Sequence, residues 1–339
     1  MKYLISVACS FLILISCTPS VDKKAAIQFP LNISGIYQDL IKSARIPMSG
    51  GPIKVFESGH LLVFQISNSK DVFMLDGNDG KFKKIALNPP DTIGRMVYRY
   101  DPVSFVLPYN SEFVYLKNGS EMNSLGKFGI KNDRLKINGI NLSNPVKILH
   151  LSEEILISYW ASGTKDSSTS SGGVFITDLS KNTTNLLVPK SENWAEITSS
   201  GGKIFVLEKY SPIITIYDFK GREIQTIEMP KSKFLKYEKR VRPPEYLQMP
   251  AEKKVSYLED YCLDFYQPGD TSVFLHQTYS VENQSIQENY ILSRFSNGML
   301  QEVKLEFKAM NFSSNGDLYF VNETDSGDFL TKMPLSKLF

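Results

Sequence analysis

One phrase recurs along this chain: a turn, an apolar strand, a short polar break, a second apolar strand, an Asp-x-x-Gly turn and a third strand. It is clearest in Ser200-Gly201-Gly202-Lys203-Ile204-Phe205-Val206-Leu207, followed by Ile213-Ile214-Thr215-Ile216-Tyr217-Asp218-Phe219-Lys220-Gly221-Arg222-Glu223-Ile224. The same grammar governs Ser58 to Phe64, Val72 to Asp76 and Gly80 to Ile85, and again Ser104 to Leu107, Glu112 to Leu116 and the turn Lys117-Asn118-Gly119. A fourth copy begins at Ile155 to Trp160, breaks at the Ser/Thr-rich segment 162–171 and resumes at Gly173 to Leu179. Two more are Thr271 to Leu275 with Tyr290 to Phe295, and Asn315 to Val321, which makes six copies. They are spaced by about 45 to 50 residues, with one gap of about 70, the period of four-stranded propeller blades.

A strand pair with a hairpin cannot bury its apolar faces alone, so neighbouring units must stack, and closure into a circle removes the open edges. The pattern resembles the six-bladed β-propellers of the NHL and TolB-like kind over residues 46–339. That resemblance implies an all-β fold of four-stranded antiparallel blades and leaves activity open. Phe307 to Ser313, Leu318 to Asn322 and Phe329 to Pro334 supply three strands of the last unit, and Leu335 to Phe339 is too short for a fourth. The missing outer strand is expected from Ile27 to Ile33, which would join the two chain ends. A propeller closed without such a clasp is the alternative.

Lys2, the apolar run Tyr3 to Ile15 and the small Ser16 precede Cys17 in Leu14-Ile15-Ser16-Cys17, an apolar stretch too short to span a bilayer comfortably. This resembles a bacterial lipoprotein signal, which implies that 1–16 is removed and that the thiol of Cys17 carries a diacylglyceryl group. A thiolate suits such alkylation, and each buried acyl methylene contributes roughly 0.8 kcal/mol to anchoring. An ordinary secretory signal cut elsewhere is the other reading. Residues 17–45 are then tether and closing strand, and the location is the cell envelope, on the periplasmic face or outer surface of the outer membrane. Loss of Cys9 with the signal leaves Cys262 alone, which excludes an internal disulfide or a cysteine-based zinc cluster.

There are 38 Lys and Arg against 36 Asp and Glu, so no electrostatic footprint for nucleic acid exists. Charge is concentrated locally at Lys231, Lys233, Lys236, Lys239, Arg240 and Arg242, opposed by Glu238 and interleaved with Phe234, Leu235, Tyr237 and Val241. This stretch is either a solvated excursion ended by Pro243-Pro244 or a surface for anionic headgroups or an acidic partner. Asp76-Gly77-Asn78-Asp79-Gly80 has the beginning of a calcium loop but lacks the later bidentate Glu, and a hairpin demands the same residues. Ser67/Lys70 and Ser162/Lys165 have a nucleophile spacing without its companion motifs and read as turns. His60, His150 and His276 share no metal-ligand spacing.

Circular closure can converge distant residues on a central channel. Aligning the first strands of the copies puts Glu196, Asp264 and Asn311 in comparable positions, subject to a one-residue slip that would turn each to the other face. Glycine-rich phosphate loops, zinc-protease helices and nucleophile elbows are absent, so no catalytic residue is assigned. The expectation is a binding or scaffolding module without cofactor, holding a protein or glycan partner through loops 162–171, 230–257 and 279–289. The alternative is a hydrolase of the propeller lactonase type, with calcium held by Glu196, Asp264 and Asn311.

Overall fold

A computed structural model describes residues 27–32, 53–66, 71–78, 81–86, 104–109, 112–117, 121–126, 129–136, 145–160 and 172–339. Cys17, Ser67/Lys70, Ser162/Lys165 and the segment 162–171 lie outside the described residues. Strand β1 is Ile27–Asn32. After it come β2 to β5 (Ile53–Ser58, Leu61–Ile66, Asp71–Asp76, Phe82–Ala86) and β6 to β9 (Ser104–Tyr109, Glu112–Lys117, Glu121–Gly126, Gly129–Lys136). Next are β10 to β13 (Pro145–Leu151, Ile155–Trp160, Gly173–Asp178, Thr183–Pro189) and β14 to β17 (Trp194–Ser200, Lys203–Glu208, Ile213–Asp218, Glu223–Glu228). The remainder are β18 to β21 (Tyr261–Tyr266, Ser272–Glu282, Ser285–Ser296, Met299–Leu305) and β22 to β24 (Lys308–Phe312, Asp317–Thr324, Gly327–Pro334).

Each run of four is an antiparallel sheet in sequence order, and β22, β23 and β24 form a sheet completed by β1. The first strands pack side by side in the order β2, β6, β10, β14, β18, β22 and back to β2. The chain is therefore a β-propeller with these strands innermost. The expected blade count needs one correction: five sheets, not six, are built from consecutive strands. A single 3-10 turn, Leu335–Lys337, follows β24, and the last three strands form their sheet with β1. There Ile27 lies opposite Lys332, Gln28 opposite Thr331 and Asn32 opposite Phe329.

The seam between first and last sheets does not rest on β1 alone. Val55, Leu62, Phe64, Phe73 and Leu75 share one buried cluster with Met310, Tyr319, Val321 and Leu330. Glu57 of β2 binds across the same seam, accepting from Lys332 Nζ at 2.9 Å and from the Tyr319 hydroxyl at 2.5 Å. Similar clusters lie between other neighbours, for example Phe205, Leu207 and Ile216 against Cys262, Phe265 and Phe274. Among the described residues the second strands are buried on both faces, as in Ile204 to Leu207 of β15 and Val273 to His276 of β19, which is why they read as near-continuous apolar runs rather than a clean alternation.

The Asp-x-x-Gly phrases are turn chemistry. Asp218 Oδ1 accepts from the backbone N–H of Lys220 and Arg222, each at 2.9 Å, and Asp76 Oδ1 accepts from that of Asn78 at 3.0 Å. Asp76 is buried and its N–H donates to the Lys81 carbonyl at 2.8 Å where β4 leads into β5, while Asp79 and Gly80 of this stretch lie outside the described residues.

The innermost strands all run the same way, giving the propeller an entry mouth at their N-terminal ends and an exit mouth at their C-terminal ends. The segment expected to be a loop at 279–289 is instead regular strand, and this too is a correction. Strands β19 and β20 pair without a break to Glu282 opposite Ser285, around Asn283 and Gln284 at φ 50 and 61. Two positive φ values are what a two-residue type I′ turn requires, and Asn and Gln gave a weaker signal than Asn-Gly. The hairpin continues past the start of β18, where Tyr261 faces Gln277, and projects about 17 Å from the entry mouth.

His276, opposite Cys262 on β19, is buried with Nδ1 lacking any hydrogen-bond partner among the described residues. Burial disfavours its cation and lowers its pKa to about 3. The unfolded chain takes up this proton near pH 6.5 and the folded chain does not, so stability is complete above pH 6.5 and falls as pH drops toward 3. At pH 5 the loss is about 2 kcal/mol. Urea unfolding at pH 7.5 and pH 5 should show wild type losing about that much more than His276→Leu, and equal losses would contradict it.

Candidate functional site: the central channel and its entry mouth

A shared backbone irregularity positions the channel residues. In β10, β14, β18 and β22 the pairing with the next strand skips one residue immediately before Lys147, Glu196, Asp264 and Asn311 respectively. Such bulges kink a strand and re-aim the side chain that follows. Glu196, Asp264 and Asn311, equated from sequence, thus occupy equivalent positions. Sequence reasoning missed the fourth member, Lys147, and also Lys54 on β2. A signal existed in each case, a lone lysine inside an apolar run: Ile53-Lys54-Val55-Phe56 and Val146-Lys147-Ile148-Leu149.

Lys147 is the hub. Its Nζ donates to Glu196 Oε1 and to the Ile197 carbonyl, both at 2.7 Å, and stands 3.7 Å from Asp264 Oδ1. Lys54 Nζ lies 3.8 Å from the same Asp264 oxygen. Asp264 Oδ2 accepts from Phe312 N–H at 2.8 Å, which ties β18 to β22. Burial lowers the Lys147 pKa, yet Glu196 and Asp264 together outweigh it and hold the ammonium above the usual lysine value. Exposures of 19% for Lys147, 15% for Glu196 and 11% for Asp264 make this a largely desolvated network, in which pairing is obligatory.

Asn311 is a clamp. Its Oδ1 accepts from Val55 N–H at 2.8 Å, while Nδ2 donates to the Val55 carbonyl at 2.9 Å and to that of Phe312 at 2.8 Å. Calcium requires six to eight oxygens, mostly anionic. Here the Asn311 amide is engaged with backbone across the seam, and two ammonium groups already face Asp264. The Glu196, Asp264 and Asn311 set does not fit a calcium ion, and among the described residues no cluster of three or more His, Cys, Asp or Glu is placed to hold a metal.

The other candidates are dispersed. His60 Nε2 lies 3.7 Å from Asp76, His150 packs on Phe219 and His276 is buried in β19. Cys262 is buried and its thiol pKa is raised by burial, which makes it inert. Tyr159 lies near Glu196, and burial pushes its phenol up to about 12, so it remains a donor at neutral pH.

The basic stretch lies on the entry mouth, leading into β18. It is strapped down through its backbone: Lys233 N–H donates to Glu302 at 2.8 Å, Lys236 N–H to Asp260 at 2.6 Å and Arg240 N–H to Glu259 at 3.0 Å. Met229 and Leu235 are buried beneath it. Arg240 acts as an internal strut, donating to the Leu258 carbonyl at 2.6 Å, and Arg242 stacks 5.0 Å over the Tyr246 ring. A 3-10 turn Pro244–Gln248 and a short helix Ala251–Lys254 follow, the helix packing on β20. Insertion and hairpin form one ridge, on which Val241 and Leu247 are 77% and 82% exposed.

Fold and channel define a β-propeller whose central charges are arranged in internal pairs beneath an ordered ridge. No known protein family matches the chain, and no curated protein does. Solved structures do. A protein designated as exported, from Bacteroides fragilis, is 12% identical with a TM-score of 0.50, covering 93% of this chain and 96% of that one. A member of the DUF4221 family from Bacteroides vulgatus is 9% identical with a TM-score of 0.49, covering 84% and 92%. At such identities the likeness is one of fold. Among the described residues no helix is long and apolar enough to cross a membrane.

Proposed function

We propose that the protein is a cell-envelope lipoprotein, held to the outer membrane by acyl chains on Cys17, whose propeller is a binding module for a protein or glycan partner. In this reading the composite sheet is the sixth blade, and the architecture is of the NHL and TolB-like kind. The observation that carries it is the entry-mouth ridge: an apolar and cationic surface strapped by three carboxylates onto a rigid ring, above a channel in which Lys147 is paired with Glu196. Pre-ordered contact surfaces of this kind reduce the entropy lost on association. The exported designation of the Bacteroides fragilis neighbour accords with an envelope location.

Two measurements test it. Cys17→Ser should move the protein from the membrane to the soluble fraction and block maturation; a mutant that stays membrane-bound at mature size refutes the anchor. Pull-down from envelope extracts should lose a specific partner when Ser280 to Gln287 is replaced by Asn-Gly or when Val241 and Leu247 become serine. Identical captures would refute the ridge.

A further inference from the structure

A cavity of about 260 Å³ occupies the channel toward the exit mouth, opposite the ridge. Its walls come from the C-terminal halves of the inner strands, including Thr198, Tyr266 and Phe312, and Lys54, Lys147 and Asp264 form its inner end. That end contains a gap. Asp264 Oδ1 lies 3.8 Å from Lys54 Nζ and 3.7 Å from Lys147 Nζ, beyond the 2.7–3.2 Å of a direct N–H···O bond. Lys54 Nζ makes no direct hydrogen bond among the described residues, and the side-chain bond that Asp264 accepts uses its other oxygen.

A group seated against Asp264 Oδ1 must donate to the carboxylate and accept from an ammonium at once. A hydroxyl does both; a carboxylate or phosphate has nothing to donate at neutral pH, and an ammonium cannot accept. Lys54 and Lys147 are balanced by Glu196 and Asp264, so the site has no net attraction for an ion of either sign. The remaining wall suits the C–H face of a ring. Tyr266 lies against the turn at Gly316, where φ is +86 and a Cβ would come within 2.5 Å of the phenol ring, and Phe312 sits 5.9 Å from Tyr266 between centroids. The volume falls just below the roughly 300–1,000 Å³ of drug-sized pockets, which suits one ring rather than a chain.

We propose that the exit half of the channel binds a single neutral sugar or cyclic polyol, one hydroxyl of which bridges Asp264 to Lys54 and Lys147. This site is separate from the ridge, and its failure leaves the ridge untouched. The test is saturation-transfer NMR with glucose, galactose, mannose, N-acetylglucosamine and inositol, with acetate and phosphate as ionic competitors. At least one neutral ring should receive saturation at millimolar concentration. Thr198→Trp, which fills the cavity while leaving every charged residue in place, should weaken binding at least tenfold while the melting transition stays intact, and Lys54→Met should weaken it as well. Transfer to no member of the panel, transfer unchanged in Thr198→Trp, or competition by acetate or phosphate equal to that of the sugars overturns the proposal; the first result would leave ordered water as the bridge.

Discussion

Lys147→Met is expected to destabilise the protein by roughly 3 to 5 kcal/mol, because it removes the cation from a buried network and leaves its carboxylates behind. Glu196 would lose its 2.7 Å partner, Asp264 one of its two cations, and the Ile197 carbonyl its donor. The methionine fills much of the same volume, so the loss measures charge rather than packing. Lys147→Met combined with Glu196→Gln should recover part of it, since the most exposed of the costs, an unpaired carboxylate at 15% accessibility, is then gone. Denaturant unfolding of wild type and the two variants decides the matter. A single-mutant loss under about 1 kcal/mol would mean that solvent screens the cluster as it does a surface pair.

Phe64→Ala should cost about 3 to 5 kcal/mol, the usual range for emptying a buried aromatic site. Phe64 belongs to the cluster shared by the first and last sheets and is almost wholly buried. The cavity would therefore open at the seam that closes the propeller. Phe234→Ala, on the exposed side of the insertion, is the control and should change stability by less than about 0.5 kcal/mol. Thermal or urea unfolding reads both. Comparable effects at the two positions would show that the seam is not held by this core.

Much of this architecture was legible because its units repeat. Apolar runs and Asp-x-x-Gly turns located the strands, and the shortage of chain after Pro334 pointed to Ile27 to Ile33 as the missing edge. The channel was half legible. Glu196, Asp264 and Asn311 stood out as polar residues at matched positions, but what they do was not visible. A bulge adds one residue to one strand only, and its presence before Asp264 and Asn311 is a property of pairing, not of either strand alone. Lys54 and Lys147 were overlooked because a lysine amid apolar residues reads as an edge position with its head in water. The segment 279–289 failed for a different reason: outside the core its residues need not be apolar, so Tyr279-Ser280 resembles a loop until its partner strand is known.

The direction of β1 has a consequence for placement in the cell. The strand is antiparallel to β24 and so begins, at Ile27, on the exit-mouth side. Thr18 to Ala26, at roughly 3.3 Å per residue, reaches about 30 Å when stretched. A protein moored through Cys17 would then hang with its sugar-sized cavity looking back at the lipid headgroups and its ridge looking outward, two faces serving different neighbours.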